Sequence, residues 1–380
     1  MNRFAAGLSQ HPLATHAVGE VAGHILEQLR GERADLLVVF VSPHHLGALE
    51  DIAGALRSLL EPRVLIGMGA VGVVGGDQEI EEDSAVSVFA ASCPDVQLLP
   101  ARLEAIETSD GMSVLGWPDG ASEAHTLLLL AEPFSFPADD FTARCDESGH
   151  AVQVVGGLAS AAGPGGNRLI LDDRLFHDGA VGVFVGDGLT IRAVVSQGCR
   201  PIGRPFTVTS ARENEIRELG GISAVERLAR LAMEADETDR SLMRRGLHVG
   251  VVVDEHHDEF SRGDFLVRTV LGADHDSGAV AIADSVGVGQ TVQFHVRDAD
   301  SADEDLRELL ADVDASAALL FTCNGRGADF FGVADHDAAT IEKLIGPVPL
   351  AGAFCAGELG PIWGRNSLHG FTASLALFGS

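Results

Sequence analysis

Ala318–Gly327 reads ALLFTCNGRG, and Leu350–Gly370 reads LAGAFCAGELGPIWGRNSLHG. The first is an apolar run of strand length without helical period, stopped by Asn-Gly and Gly. That pattern predicts a strand covered on both faces that runs into a tight loop. The second is another short apolar strand, ending in Cys355, Gly357, Glu358, Gly360 and Pro361, with His369 soon after. A helix is expected between them at Ala338–Ile345. Open α/β sheets place their sites just past the carboxyl ends of such strands. A thiol, an amide and a guanidinium (Cys323, Asn324, Arg326) therefore face a thiol, a carboxylate and an imidazole (Cys355, Glu358, His369) across one expected crevice.

Working outward, the same order recurs. Leu36–Val41 (LLVVFV) is a buried strand, His44–Leu60 has helical spacing, Val64–Gly72 is a glycine-rich strand and turn, and Ala85–Ala90 is a further strand. Leu127–Ala131 opens a second unit, with a helical or irregular crossover at Phe136–Glu147, a strand at Gln153–Leu158 and a last strand at Gly182–Gly186. The third runs from Ala318 to Leu377. The glycine segments IGMGAVG, VGGLASAAG and AGAFCAGELG fall at the same point of each unit. This predicts a duplicated α/β architecture, two pseudo-repeated halves of strand–helix–strand–strand units forming mixed sheets flanked by helices. An amphipathic helix at Thr15–Leu29 precedes it. Cys199–Phe206 (CRPIGRPF), with two prolines and a glycine, reads as a joint. A helix at Ser223–Ala235 and an antiparallel block (His248–Val253, Phe265–Leu271, Ala279–Ala283, Val292–Val296) then come before the third unit. The expected division is 1–203 and 204–380.

These residues carry a family resemblance. TCNGRG, the FFG of Phe330–Gly332, the DHD of Asp335–Asp337, FCAGELGP, LHG, HVRDADSADEDL and FLVRTVLGAD resemble the C-terminal module of the FIST family. DLLVVFVSP, VVGGLAS and SQGCRPIG resemble its N-terminal module. The resemblance implies an intracellular small-ligand sensor domain for a small polar metabolite, such as an amino acid or related carboxylate. On that expectation Arg326 clamps a carboxylate bidentately, Asn324 offers donor and acceptor, Glu358 holds an amine, and Phe330 and Trp363 supply apolar walls. Cys323, Cys355 and His369 complete the expected ligand-binding set. The competing reading is an enzyme with Cys323 as nucleophile and His369 as base, since an arginine beside a cysteine favours the thiolate. A third is a protein-interaction scaffold with a signalling partner. The residues do not decide whether any reaction is catalysed, which ligand is bound, or the oligomeric state.

Composition narrows the field. The 380 residues hold 56 acidic against 26 basic side chains, a net charge of −30. Such a surface repels phosphate backbones and anionic headgroups, so neither nucleic acid nor membrane is expected as a partner. No segment approaches a membrane span and no leader pattern opens the chain. Five scattered cysteines without paired spacing fit a reduced, cytoplasmic protein.

Neither a cofactor nor a metal is expected. Gly67-x-Gly69-x-x-Gly72 matches a dinucleotide fingerprint only in part. The fingerprint needs a helix directly after the glycines, and here Gly75-Gly76-Asp77 and a strand follow. The glycines are expected to let two backbones approach closely. Asp254–Asp258 (DEHHD), His44-His45 and Asp274-His275-Asp276 lack metal-ligand spacing and read as solvated loops. Asp335 and Asp337 are expected to cap the helix that follows them.

Overall fold

Three pairs of parallel strands organise the chain: Leu36–Val41 with Val64–Gly69, Thr126–Ala131 with Gln153–Leu158, and Ala317–Cys323 with Leu350–Cys355. One glycine in the second strand of each pair lies hard against the first. A Cβ on Gly67 would fall 2.6 Å from the Val39 carbonyl oxygen, on Gly156 1.9 Å from that of Leu129, and on Gly352 2.1 Å from that of Leu320. The glycines are there because any side chain would force the strands apart. A third strand runs antiparallel along the far side of each first strand, at Val86–Ser92, Ala180–Val185 and Thr372–Phe378. The repeated strand–helix–strand–strand order is thus present three times, and Leu127–Leu130 is strand.

The structure is a computed structural model that describes residues 2–108, 111–147, 152–256 and 259–379. Contacts group it into a larger unit (Met1–Val195, Leu306–Leu368, Thr372–Ser380) and a smaller one (Ser196–Asp305, His369–Phe371). These units cut the chain differently from the linear division at 203/204, and the reason is strand exchange inside the larger unit. The hairpin that follows the first glycine strand, Val73–Gly75 with Gln78–Ile80, pairs with Leu350–Cys355 of the third repeat. Leu169–Leu171 with Arg174–Phe176, from the second repeat, pairs with Val64–Gly69 of the first. Glu358–Ile362, from the third, pairs with Gln153–Leu158 of the second. The exchange is cyclic, so each of the three sheets is completed by its neighbour.

Inner faces of the three sheets share one core that includes Phe40, Phe89, Val155, Val183, Phe321 and Phe378. Phe40 and Phe321 meet edge-on at 6.0 Å, and Phe89 stacks on Phe378 at 4.8 Å. Outer faces are covered by helices. Ala14–Leu29 and Leu49–Leu60 bury Val18, Ile25 and Leu56 on the first sheet, and Ala138–Glu147 buries Phe141 on the second. His336–Ile345 buries Ile341 on the third. Each fully buried Leu, Ile or Phe contributes roughly 1.5–3 kcal/mol. The expected helix from His44 begins instead as a 3-10 turn, Pro43–Ala48, and becomes α-helical at Leu49.

The smaller unit is a seven-stranded antiparallel sheet. Its helices Ala224–Glu234 and Glu237–Arg245 are capped by Ser223 and Asp236, whose side chains accept from the Glu226 and Asp239 amides. Cys199–Phe206, read above as a joint, is the first part of one long strand, Cys199–Arg212. Pro201 sits within the ladder to Thr291–Arg297, opposite His295, whereas the ladder slips between Ile202 and Phe206 and leaves Pro205 outside it. Of the Asp254–Asp258 run, His257 and Asp258 lie outside the described residues. His256 Nδ1 lies 2.6 Å from Asp254 Oδ1 on an exposed turn. No helix among the described residues is long and apolar enough to cross a membrane.

Candidate functional site

Parallel pairing places Cys323 directly opposite Cys355. The loop after Cys323 is closed by two backbone bonds, from the Asn324 amide to the Cys355 carbonyl and from the Arg326 amide to the Cys323 carbonyl, each 2.8 Å. That turn folds the Arg326 side chain inward, where its exposure is 0 %. Its Nε and Nη2 donate to Asp337 Oδ2 and Oδ1, both at 2.9 Å. Thr322 Oγ1 donates to the same carboxylate at 2.9 Å, and His336 Nδ1 lies 3.1 Å from Oδ1. The His336 ring stacks on Phe331 at 3.5 Å, and the Arg326 guanidinium lies over the Phe331 ring at 5.2 Å. Burial by itself would raise Asp337. The Arg326 charge and the His336 hydrogen bond override it and hold the carboxyl well below the usual range.

This revises two expectations. Arg326 spends its bidentate edge on a carboxylate of its own chain, so it is not a two-pronged clamp for a ligand. Asp335 and Asp337 do not cap the helix with their side chains. Asp337 takes Arg326, and Asp335 Oδ1 accepts from the Glu79 amide at 2.7 Å.

Arg326 nevertheless keeps one nitrogen, Nη1, buried and without a hydrogen-bond partner among the described residues. Glu358 is in the same condition. It is fully buried at the start of its strand, opposite Gly157. Its Oε2 accepts from the Thr372 amide at 3.1 Å and hydroxyl at 2.8 Å, while Oε1 has no partner. Burial pushes Glu358 up to about 8, against the Thr372 hydrogen bonds and the Arg326 charge, which favour the carboxylate. Cys323 and Cys355 belong to the same electrostatic group: Cys323, whose Sγ donates to Asn324 Oδ1 at 3.7 Å, favours the Glu358 carboxylate, and Arg326 senses both Cys323 and Glu358. Burial, then the nearby Glu358, raises the Cys355 thiol well above its ordinary value, so it stays protonated.

A third acid was not singled out in the sequence. Glu79, on the hairpin contributed by the first repeat, is buried, and its Oε1 accepts from the Ala338 amide at 2.9 Å. Its Oε2 has no partner among the described residues, and burial with the Asp337 charge pushes it up to about 8. Its neighbour Glu81 accepts from the Ala328 amide at 2.8 Å. A Cβ on Gly327 would sit 1.9 Å from Glu81 Oε2, so the glycine makes room for that carboxylate. No local pattern marked Glu79: the strand Gln78–Ile80 is three residues long, and its buried position is the acid itself.

The other two repeats serve as internal controls. Three residues past the carbonyl that meets the close glycine stand Ser42, Glu132 and Cys323. Ser42 Oγ accepts from the Ala85 amide at 2.9 Å. Glu132 is buried but satisfied: Oε2 takes the Phe134 amide and Ser135 hydroxyl, and Oε1 takes Asn167 Nδ2 at 3.2 Å. Around Cys323, by contrast, Arg326, Glu358 and Glu79 each keep a buried atom without a partner among the described residues.

The remaining predicted residues are dispersed. Asn324 is exposed on the Arg326 loop, and Phe330 is half-buried, edge-on to Phe331 at 4.7 Å. Trp363 is 64 % exposed at the tip of the hairpin after Glu358–Ile362, with φ 51°. Five residues of extended chain put it about 16 Å from Glu358, so it does not wall that crevice. His369 is buried and belongs to the smaller unit. Cavities open elsewhere on the larger unit. One of about 870 Å³ lies beside Arg3–Ser9 and is lined by Glu20, Glu27 and Pro349 among others, and one of about 630 Å³ lies beside Trp117.

Comparison with known proteins agrees with the motifs. Residues 35–222 match the FIST N domain and residues 224–361 the FIST C domain. The uncharacterized protein Rv0628c of Mycobacterium tuberculosis is 42 % identical over 388 aligned residues, covering 99 % of both chains. The uncharacterized protein Mb0898c of Mycobacterium bovis is 42 % identical over 383, covering 99 % of this chain and 98 % of its own.

Proposed function

The chain belongs to the FIST family, and from that premise we propose that it senses a small polar molecule bound in the third-repeat crevice, between Arg326, Glu358 and Cys323. FIST domains are described as small-ligand sensor domains in signal transduction. The observation that carries the placement is the pair of unpartnered buried atoms, Arg326 Nη1 and Glu358 Oε1. A buried polar group left unsatisfied costs about 1–3 kcal/mol, and more when charged, so a fold that leaves two together gains when a ligand satisfies both.

The chemistry of the pair selects the ligand. Arg326 Nη1 can only donate. Glu358, raised to about 8 by burial, carries its proton at neutral pH, and Oε2 is already accepting twice from Thr372. Its proton is therefore presented on Oε1. Two donors ask for an acceptor oxygen, as in a carbonyl or carboxylate; an amino acid or related carboxylate meets this requirement. In this arrangement Glu358 donates to the ligand instead of holding an amine. Asn324, exposed on the same loop, supplies a donor and an acceptor.

Native mass spectrometry of the protein as purified would identify a retained ligand, and thermal-shift screening of amino acids and small carboxylates would find one otherwise. Glu358→Leu should abolish ligand-induced stabilisation. Glu358→Gln, which keeps an acceptor for Thr372 and a donor for the ligand, should retain most of it. Full stabilisation in Glu358→Leu would refute the placement.

A further inference from the structure

A second part of the larger unit carries a site that the crevice does not explain. The 630 Å³ cavity beside Ser113–Ser122 falls within the range of small-molecule pockets. Trp117 lines it and is 39 % exposed. Its indole rests against Phe141 at 5.7 Å and 31° and against Phe184 at 5.2 Å and 45°. Both phenylalanines are buried in the core of the second sheet, so a large aromatic surface is held rigidly at the cavity. The loop that presents it is fixed by its backbone. Gly116 has φ 100° and would place a Cβ 1.9 Å from the Arg102 carbonyl oxygen, and Gly120 has φ 87°. The 3-10 turn Ala121–Glu123 then locks the loop, with the Ala121 amide donating to the Pro118 carbonyl at 3.2 Å.

Arg144, in the last turn of Ala138–Glu147, also lines the cavity. In a chain with 56 acidic side chains and 26 basic ones, this guanidinium has no ion pair among the described residues. Ser113 and Ser122 add hydroxyls, and Asp119 adds one carboxylate. An anion can approach so acidic a protein only where a cation stands locally uncompensated.

We propose that this cavity is a second binding site, independent of the Arg326 crevice, for a small aromatic monocarboxylate. Its ring lies on Trp117 and Phe141, and its carboxylate pairs with Arg144. The aromatic pairing supplies area and a stacking preference. The guanidinium supplies a charge-assisted bond. Asp119 disfavours a second negative charge on the ligand.

The chain has two tryptophans, Trp117 and Trp363, so Trp363→Phe makes indole fluorescence a report from this cavity alone. In that background, benzoate should give a saturable fluorescence change, with phthalate weaker and benzamide weaker still. Arg144→Ala should reduce benzoate affinity about tenfold, the loss of one charge-assisted contact, and leave benzamide unchanged. Trp117→Ala, followed by saturation-transfer NMR, should lose benzoate contact. The proposal is overturned by any of three results: no saturable response to benzoate by either method, equal weakening of benzamide and benzoate in Arg144→Ala, or benzoate contact that survives Trp117→Ala. Glu358→Leu should leave benzoate binding intact, which separates this site from the crevice.

Discussion

Replacing Arg326 with alanine should destabilise the larger unit by about 3–5 kcal/mol, the range for breaking a buried ion pair by removing one partner. Arg326 and Asp337 have side-chain exposures of 0 % and 1 %, and two bonds of 2.9 Å join them. Without the guanidinium, Asp337 keeps the Thr322 hydroxyl and its contact with His336, but its charge is left uncompensated in the interior. Domains are stable by about 5–15 kcal/mol, so a large share is lost. Urea unfolding followed by tryptophan fluorescence reads the right transition, because Trp117 and Trp363 both lie in the larger unit. Arg326→Lys should fall between, since an ammonium cannot span both carboxylate oxygens. The double variant Arg326→Met, Asp337→Leu should be less destabilised than Arg326→Ala, because it removes the charge along with its partner. The acid limb tests the same pair. Asp337 is held low in the folded protein, so its contribution is present above the unfolded value of about 3.9 and lost as pH falls toward the folded one. Arg326→Ala should erase much of that limb. A cost below about 1 kcal/mol would show that the pair does not hold the loop.

Other tests follow from the same geometry. Glu79 and Glu358 are raised to about 8 from an ordinary value of about 4.3, so the folded chain holds protons that the unfolded chain releases. Their contribution is full below pH 4.3 and drains away as pH rises to about 8. The stability of the larger unit should decline across that window by urea titration, and more gently in Glu79→Gln and Glu358→Gln. Gly352→Ala, whose Cβ would lie 2.1 Å from the Leu320 carbonyl oxygen, should cost about 3 kcal/mol or more, at or above the upper end of the roughly 1–3 kcal/mol typical of overpacking, because the clash is with backbone. By contrast Gly23→Ala, in the Ala14–Leu29 helix with nothing within 4 Å of the new atom, should stabilise by about 0.5–1 kcal/mol in the same assay.

What could be seen in the sequence was whatever a local pattern determines. The runs LLVVFV, TLLLLA and AALLFTC announce buried strands because apolar residues without helical period have few other outcomes. The recurring glycines announced close backbone approach, and Gly67, Gly156 and Gly352 each meet a carbonyl of the parallel neighbour. Pro205 misled because a slipped ladder tolerates it, and slippage depends on the partner strand; Pro201 stands within the ladder, opposite His295. Arg326 was visible as a cation in a loop, but not its partner. Asp337 stands only eleven residues on, yet a DHD before a helix reads equally as a cap until the turn after Cys323 directs the guanidinium inward.

Hairpin exchange explains why the buried cluster around Arg326 and Glu358 draws on distant stretches of chain. Each glycine strand ends beside a hairpin that belongs to another repeat, so the residues facing it are chosen by a segment far away in sequence. For the third repeat this brings Glu79 to the Ala338 amide across 259 residues. The third repeat's own outgoing strand carries Glu358 away to pair with Gln153–Leu158. A Cβ on the facing Gly157 would lie 2.4 Å from the Cys355 sulfur, so these elements are packed without slack. A ligand that satisfies Arg326 Nη1 and Glu358 Oε1 would therefore bridge the Cys323 loop to the strand that completes the neighbouring sheet. Binding there would couple the positions of two repeats, and that mechanical link is what a sensor requires: differential contact of one ligand with two parts of the fold.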